Sequence, residues 1–128
     1  MDLPLNVLIV EDDCAMAQMC AKLIRRRGHT AVIAESCPDA LAIVKSQGID
    51  AILSDVHMPH MSGIELMAQV RQFNTQIPVI LMTGYTSIVS SAEALALGAA
   101  DYLSKPFNAE TLIGSLERSF LKRVAETA

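Results

Sequence analysis

The feature that most constrains how this chain can fold is an alternation. Short, wholly apolar runs recur along it, separated by segments whose apolar residues fall at helical spacing. The runs Val7-Leu8-Ile9-Val10, Ala31-Val32-Ile33-Ala34, Ala51-Ile52-Leu53 and Val79-Ile80-Leu81-Met82 contain no polar residue. That is the pattern of strands buried on both faces of a parallel sheet. Tyr102-Leu103 reads as a short fifth strand. In the intervals, Met16, Met19, Cys20, Leu23 and Ile24 make a first helical face that Gly28 closes, where a left-handed cap is wanted. Ser36 and Asp39 flank Pro38 at the second helix start, and Ala40, Leu41 and Val44 carry its face down to Gly48. Ser62 and Glu65 have capping-box spacing ahead of a third face, Leu66, Met67, Val70 and Phe73. A fourth helix is expected over roughly residues 88–97, stopped by Gly98. A fifth starts at Asn108 as N-cap, with Glu110 in its first turn, and turns Leu112, Ile113, Leu116, Phe120 and Val124 inward. Five strands alternating with five helices on short connections predict a parallel sheet with right-handed crossovers and helices on both faces.

Length and composition bound the rest. A chain of 128 residues suits one domain, expected to span residues 1–128 with its core at about 5–124, and no internal linker interrupts it. Apolar residues make up 52%, yet no run approaches a membrane span and no secretory signal opens the chain, so the default location is the cytosol. The three cysteines have no metal-ligand spacing. Cys20 falls on a helical stripe and is expected in the core, with Cys14 and Cys37 as reduced bystanders. The net charge is −4, and the one basic block, Arg25-Arg26-Arg27, sits at a helix end where cations suit the dipole. Direct nucleic-acid binding, which needs a basic face, is not expected. The seven methionines fit core filling. His29, just past a helix-ending glycine, is expected at the surface. His60 lies in the loop beyond Pro59 and has no partner histidine for a metal site.

In an open parallel sheet, sites lie outside the carboxyl ends of the strands. The polar residues there are Glu11 and Asp12 after the first strand, Asp55 after the third, Thr83 at the fourth and Lys105 at the fifth. Asp13 is better placed as N-cap of the first helix. Three carboxylates against one ammonium leave two negative charges unbalanced. Like charges held close repel unless a cation intervenes. Carboxylates with a loop carbonyl and waters are what Mg²⁺ accepts. Asp55 is then a candidate nucleophile toward a phosphoryl group, with Thr83 and Lys105 as donors to its oxygens.

The ordered set Val10-Glu11-Asp12-Asp13, Leu53-Ser54-Asp55-Val56-His57-Met58-Pro59, Leu81-Met82-Thr83-Gly84-Tyr85 and Tyr102-Leu103-Ser104-Lys105-Pro106-Phe107 resembles the receiver domain of two-component response regulators. Within that family the stretch from Leu81 to Phe107 is most similar to receivers of the sigma-54 activator (NtrC-like) and hybrid-kinase groups. The resemblance implies a flavodoxin-like (βα)5 fold with strand order 2-1-3-4-5. It implies that Asp55 accepts a phosphoryl group from a histidine kinase, a phosphotransfer protein or a small phosphodonor. Mg²⁺ (or Mn²⁺) would be bound by Asp12 and Asp55 directly, by Glu11 mainly through water, and by the His57 backbone carbonyl. Thr83 and Lys105 would sense the phosphoryl group, the Lys105-Pro106 bond would be cis, and Tyr102 would be the switching aromatic. The fourth helix, fifth strand and fifth helix would then present a face to an output domain, a partner or a second phosphorylated copy. Such a chain is a signalling switch, not an enzyme on an external substrate; it catalyses only its own phosphorylation and dephosphorylation. His57 and Tyr85 occupy the positions that flank the phosphoryl group; either they hinder attack by water and lengthen the phosphorylated lifetime, or they point outward.

Three other readings fit these residues less well. An aspartyl-phosphate phosphatase would place its nucleophile and a second Asp two residues apart after the first strand and would carry a cap insertion. A flavin-binding module of this fold needs a hydroxyl- and Gly-rich loop where this chain has three acids. A degenerate receiver, acting as a phosphorylation-independent interaction module, would lack the acceptor or Lys105, and both are present. No effector domain follows the last helix, so the chain reads as a stand-alone receiver or as one excised from a longer regulator or hybrid kinase.

Overall fold

The computed structural model describes residues 4–58, 61–84 and 90–127. The elements alternate strictly: β1 (Asn6–Val10), α1 (Cys14–Arg26), β2 (Thr30–Ala34), α2 (Cys37–Ser46), β3 (Ala51–Asp55), α3 (Gly63–Arg71), β4 (Val79–Thr83), α4 (Ser91–Ala96), β5 (Asp101–Ser104) and α5 (Ala109–Thr127). The strands form one parallel five-stranded sheet in the order β2-β1-β3-β4-β5. Every residue of β3 and β4 is buried, which explains why their sequences never alternate with polar residues.

Successive strand residues feed opposite faces. Leu8, Val10, Ile52, Val79 and Leu81 meet α2, α3 and α4 through Ala40, Val44, Leu66, Met67, Val70 and Ala94. Val7, Ile9, Ala51, Leu53, Ile80 and Met82 meet α1 and α5 through Ala17, Cys20, Ala21, Ile24, Leu112, Ile113 and Leu116. Among the described residues no helix is long and apolar enough to cross a membrane.

The helix starts fall where their caps are. Asp13 Oδ1 accepts from Met16 N–H (3.2 Å), Ser36 Oγ from Asp39 N–H (3.3 Å), Ser62 Oγ from Glu65 N–H (3.2 Å) and Asn108 Oδ1 from Thr111 N–H (2.8 Å). Gly28 and Gly98, at φ +86° and +109°, take the left-handed conformation that ends α1 and α4.

Five positions differ from the sequence reading. Met19 is 41% exposed, because the face α1 turns to the sheet is centred on Ala17, Cys20, Ala21 and Ile24. Phe73 is exposed because α3 ends at Arg71; its ring lies 5.1 Å from Lys45 Nζ. Val124 is exposed, in the part of α5 beyond Phe120, which is the last residue of that helix packed on the core. His29 is 4% exposed rather than superficial: Leu5 N–H donates to Nδ1 (2.9 Å) and Nε2 lies 2.9 Å from Glu117 Oε2. Cys37 is likewise a core residue, while Cys14 is exposed. Of the fourth helix as expected, only Ser91–Ala96 is seen as helix; residues 85–89 lie outside the described residues.

Candidate functional site

The parallel register brings the strand ends together. Val10 pairs with Ser54, Asp55 with Met82 and Thr83 with Ser104, so the residues that close these strands share one rim. Glu11 follows β1 directly; its N–H donates to the Ala34 carbonyl (3.2 Å), and its side chain is only 1% exposed. Asp55 ends β3 at 7% exposure. Lys105 Nζ bridges the two, 2.8 Å from Glu11 Oε2 and 2.7 Å from Asp55 Oδ2.

Each carboxylate is held at its second oxygen as well. His57 N–H donates to Asp55 Oδ1 (2.9 Å) and Asp13 N–H to Glu11 Oε1 (3.0 Å). Two buried acids are thus tied down by backbone donors and share one ammonium, which is how such groups become tolerable away from water. Burial pushes the Glu11 carboxyl above its ordinary pKa; the bonds from Lys105 and Asp13 pull it back only partly, and the neighbouring Asp55 charge adds to the rise. For Lys105, burial works downward, but the bonds and charges of Asp55 and Glu11 outweigh it and leave the ammonium above its ordinary value.

Thr83 is buried at the end of β4, and its carbonyl accepts from Lys105 N–H (2.7 Å), so the backbone of the ammonium-bearing loop is pinned to that strand. The Lys105-Pro106 peptide is cis. Tyr102 on β5 is half-buried and packs against the core cluster on the α2–α4 side. Asp12 follows Glu11 on the rim and is exposed, as is the side chain of His57. Tyr85, Pro59 and His60 lie outside the described residues.

Two positions were not singled out by sequence, and both sit behind Asp55. Ser54 is fully buried and its hydroxyl donates to the Asp55 carbonyl oxygen (3.0 Å). Gly63 opens α3 against the same carbonyl; a Cβ there would fall well inside contact distance of the Asp55 oxygen and 3.1 Å from Ser54 Oγ. Composition offers no sign of the second, because the need for a bare Cα comes from the approach of a helix end to a strand end.

As a metal site the rim offers oxygen donors only, from Asp12, Asp55, Glu11 and a loop carbonyl. Among the described residues no three His, Cys, Asp or Glu side chains are grouped so as to enclose an ion by themselves. That donor set fits Mg²⁺, which takes one or two carboxylates and keeps several waters, and does not fit zinc. The rim is shallow. A groove of about 780 Å³ lies at the opposite, amino end of the sheet, lined by Arg71, Pro78, Ala100, Asp101 and Arg118 among others, and shares no residue with the rim.

Known proteins share the fold and the family of this chain. The chain is 36% identical over 115 residues to the transcriptional regulatory protein ZraR of Escherichia coli (strain K12), covering 90% of this chain and 26% of that protein. It is 38% identical over 121 residues to the sensory transduction protein RegX3 of Mycolicibacterium smegmatis, covering 94% of this chain and 52% of that protein. It therefore spans about a quarter of ZraR and about half of RegX3. Among solved structures, the chemotaxis response regulator CheY4 of Vibrio cholerae superposes at a TM-score of 0.82 with 34% identity, covering 91% of this chain and 99% of that one. A CheY-like receiver domain protein from Methanospirillum hungatei JF-1 does so at 0.88 with 27% identity, covering 97% and 99%. The response regulator receiver domain family matches residues 7–117, and the chain belongs to that family.

Proposed function

We propose that this domain is a phosphorylation switch in which Asp55 is the acceptor. The observation that carries the reading is the Lys105 ammonium held between Asp55 Oδ2 and Glu11 Oε2 at the carboxyl rim. It presents a nucleophilic carboxylate beside a fixed cation. In the transfer, an Asp55 carboxylate oxygen forms a bond to phosphorus as the bond to the donor breaks. With a histidine kinase or phosphotransfer protein as donor, the electron pair of that bond stays on the leaving imidazole nitrogen. Lys105 turns from the carboxylate to a phosphoryl oxygen, and the Thr83 hydroxyl donates to another. Asp12 and Asp55, with Glu11 through water and the His57 carbonyl, would hold Mg²⁺ (or Mn²⁺), which when bound supplies the charge that offsets carboxylate and phosphoryl repulsion. The domain turns over no external substrate; its chemistry is its own phosphorylation and dephosphorylation.

The signal leaves through the strand ends. Lys105 N–H is bonded to the Thr83 carbonyl, so a movement of both residues toward the phosphoryl group pulls on β5, which carries Tyr102. The repacked α4–β5–α5 face, with Leu95 and Leu97 already exposed, then meets an output domain, a partner or a second copy.

Intact mass after incubation with acetyl phosphate and Mg²⁺ tests the reading. The wild type gains one phosphoryl group and Asp55→Asn gains none. Equal gain by both proteins, or none by either, overturns Asp55 as the acceptor.

A further inference from the structure

The backbone behind Asp55 is held more closely than a strand end requires. The peptide that joins Asp55 to Val56 is bonded at both of its ends. Its carbonyl oxygen accepts from Ser54 Oγ (3.0 Å), and its N–H donates to the Met82 carbonyl (2.9 Å). The next turn of chain is clamped too: Gly63 N–H donates to the Val56 carbonyl (3.0 Å), and His57 N–H donates to Asp55 Oδ1 (2.9 Å). The bare Cα of Gly63 is what lets α3 close over this peptide.

We propose that Ser54 is a positioning residue for phosphoryl acceptance, acting through the Asp55–Val56 peptide. Its hydroxyl sets the tilt of that peptide plane. The tilt in turn sets both the direction of the Asp55 carboxylate and the placement of His57, whose N–H grips Oδ1. Ser54 is fully buried behind Asp55, where a phosphodonor in solvent cannot reach its hydroxyl. A buried carbonyl that loses its donor is left unsatisfied, and the peptide, held then only through its N–H to Met82, tilts toward another donor and turns the carboxylate with it. The proposal rests on Asp55 as the phosphoacceptor, but its structural half stands apart from that chemistry.

Two measurements on Ser54→Ala decide it. The first is amide hydrogen exchange without any phosphodonor. The His57 amide is expected to exchange about fivefold faster, the factor one hydrogen bond is worth, while core amides of β4 such as Ile80 keep their wild-type rates. Equal acceleration at His57 and Ile80 would show mere loss of stability, and no change at His57 would show that Ser54 holds nothing; either overturns the proposal. The second is the rate of phosphorylation by acetyl phosphate at saturating Mg²⁺, expected to fall several-fold with the fold intact. A wild-type rate alongside a loosened His57 overturns the link to chemistry. If the wild type takes up no phosphoryl group, the acceptor assignment fails, whereas the exchange result still decides whether Ser54 holds the strand end.

Discussion

Glu11 and Lys105 have opposite signs but lean the same way in pH. Burial raises the Glu11 carboxyl, so between its ordinary and its folded pKa the native chain carries a proton that the unfolded chain has lost. Stability from this group therefore declines as pH rises through that window. Lys105 is also raised; its contribution is complete at neutral pH and is lost only as pH climbs through its folded pKa, above the ordinary lysine range. A divalent cation bound at the rim, as proposed, would offset the first cost. Thermal melts with and without Mg²⁺ are expected to show a rise in Tm that is larger at pH 7.5 than at pH 5, where protons compete for Glu11. At a hundredfold excess over Kd the stabilisation is about 2.7 kcal/mol; no shift at millimolar Mg²⁺ would remove the metal from the scheme. His57 tests the lifetime. Its side chain is exposed while its N–H is committed to Asp55. His57→Ala is expected to lose phosphate several-fold faster, by opening the approach of water, and an unchanged decay would assign the side chain to solvent.

At the scale of elements, periodicity located the helices and misjudged their rotation and extent in three places. An apolar residue at the right spacing is buried only if the helix continues and a neighbour lies opposite. Phe73 falls past the end of α3, Val124 past the packed part of α5, and Met19 beside the face of Ala17, Cys20, Ala21 and Ile24 that α1 turns to the sheet. His29 erred the other way, since nothing in its local sequence announces Glu117, 88 residues further on. The exposed leucines at the end of α4, Leu95 and Leu97, carry the prediction that belongs here. Sedimentation with a non-hydrolysable phosphate mimic and Mg²⁺ is expected to show a dimer that Leu95→Asp and Leu97→Asp abolish. An identical profile with and without the mimic would count against self-association and leave the face to a different partner.

For the whole molecule, one sheet separates two apolar layers, and each layer needs the other. Leu53 and Leu66 are fully buried, Leu53 facing the α1–α5 layer and Leu66 within the layer built by α2, α3 and α4. Leu53→Ala and Leu66→Ala are each expected to cost about 3 kcal/mol in urea unfolding, with the m-value unchanged and one transition in both, because the sheet couples the layers. A split transition in either variant would show that the layers melt separately. By itself the sequence determined the alternation, the parallel sheet and the set of chemically able residues at the strand ends. Those are local properties: apolar run length, cap chemistry and the polar residue that stops each run. Only the tertiary structure decided that Lys105 reaches both Glu11 and Asp55, that His29 is buried against Glu117, and that Ser54 and Gly63 stand behind Asp55. Each of those depends on how closely distant segments approach, and approach is set by the packing of helices on the sheet, which no single segment encodes.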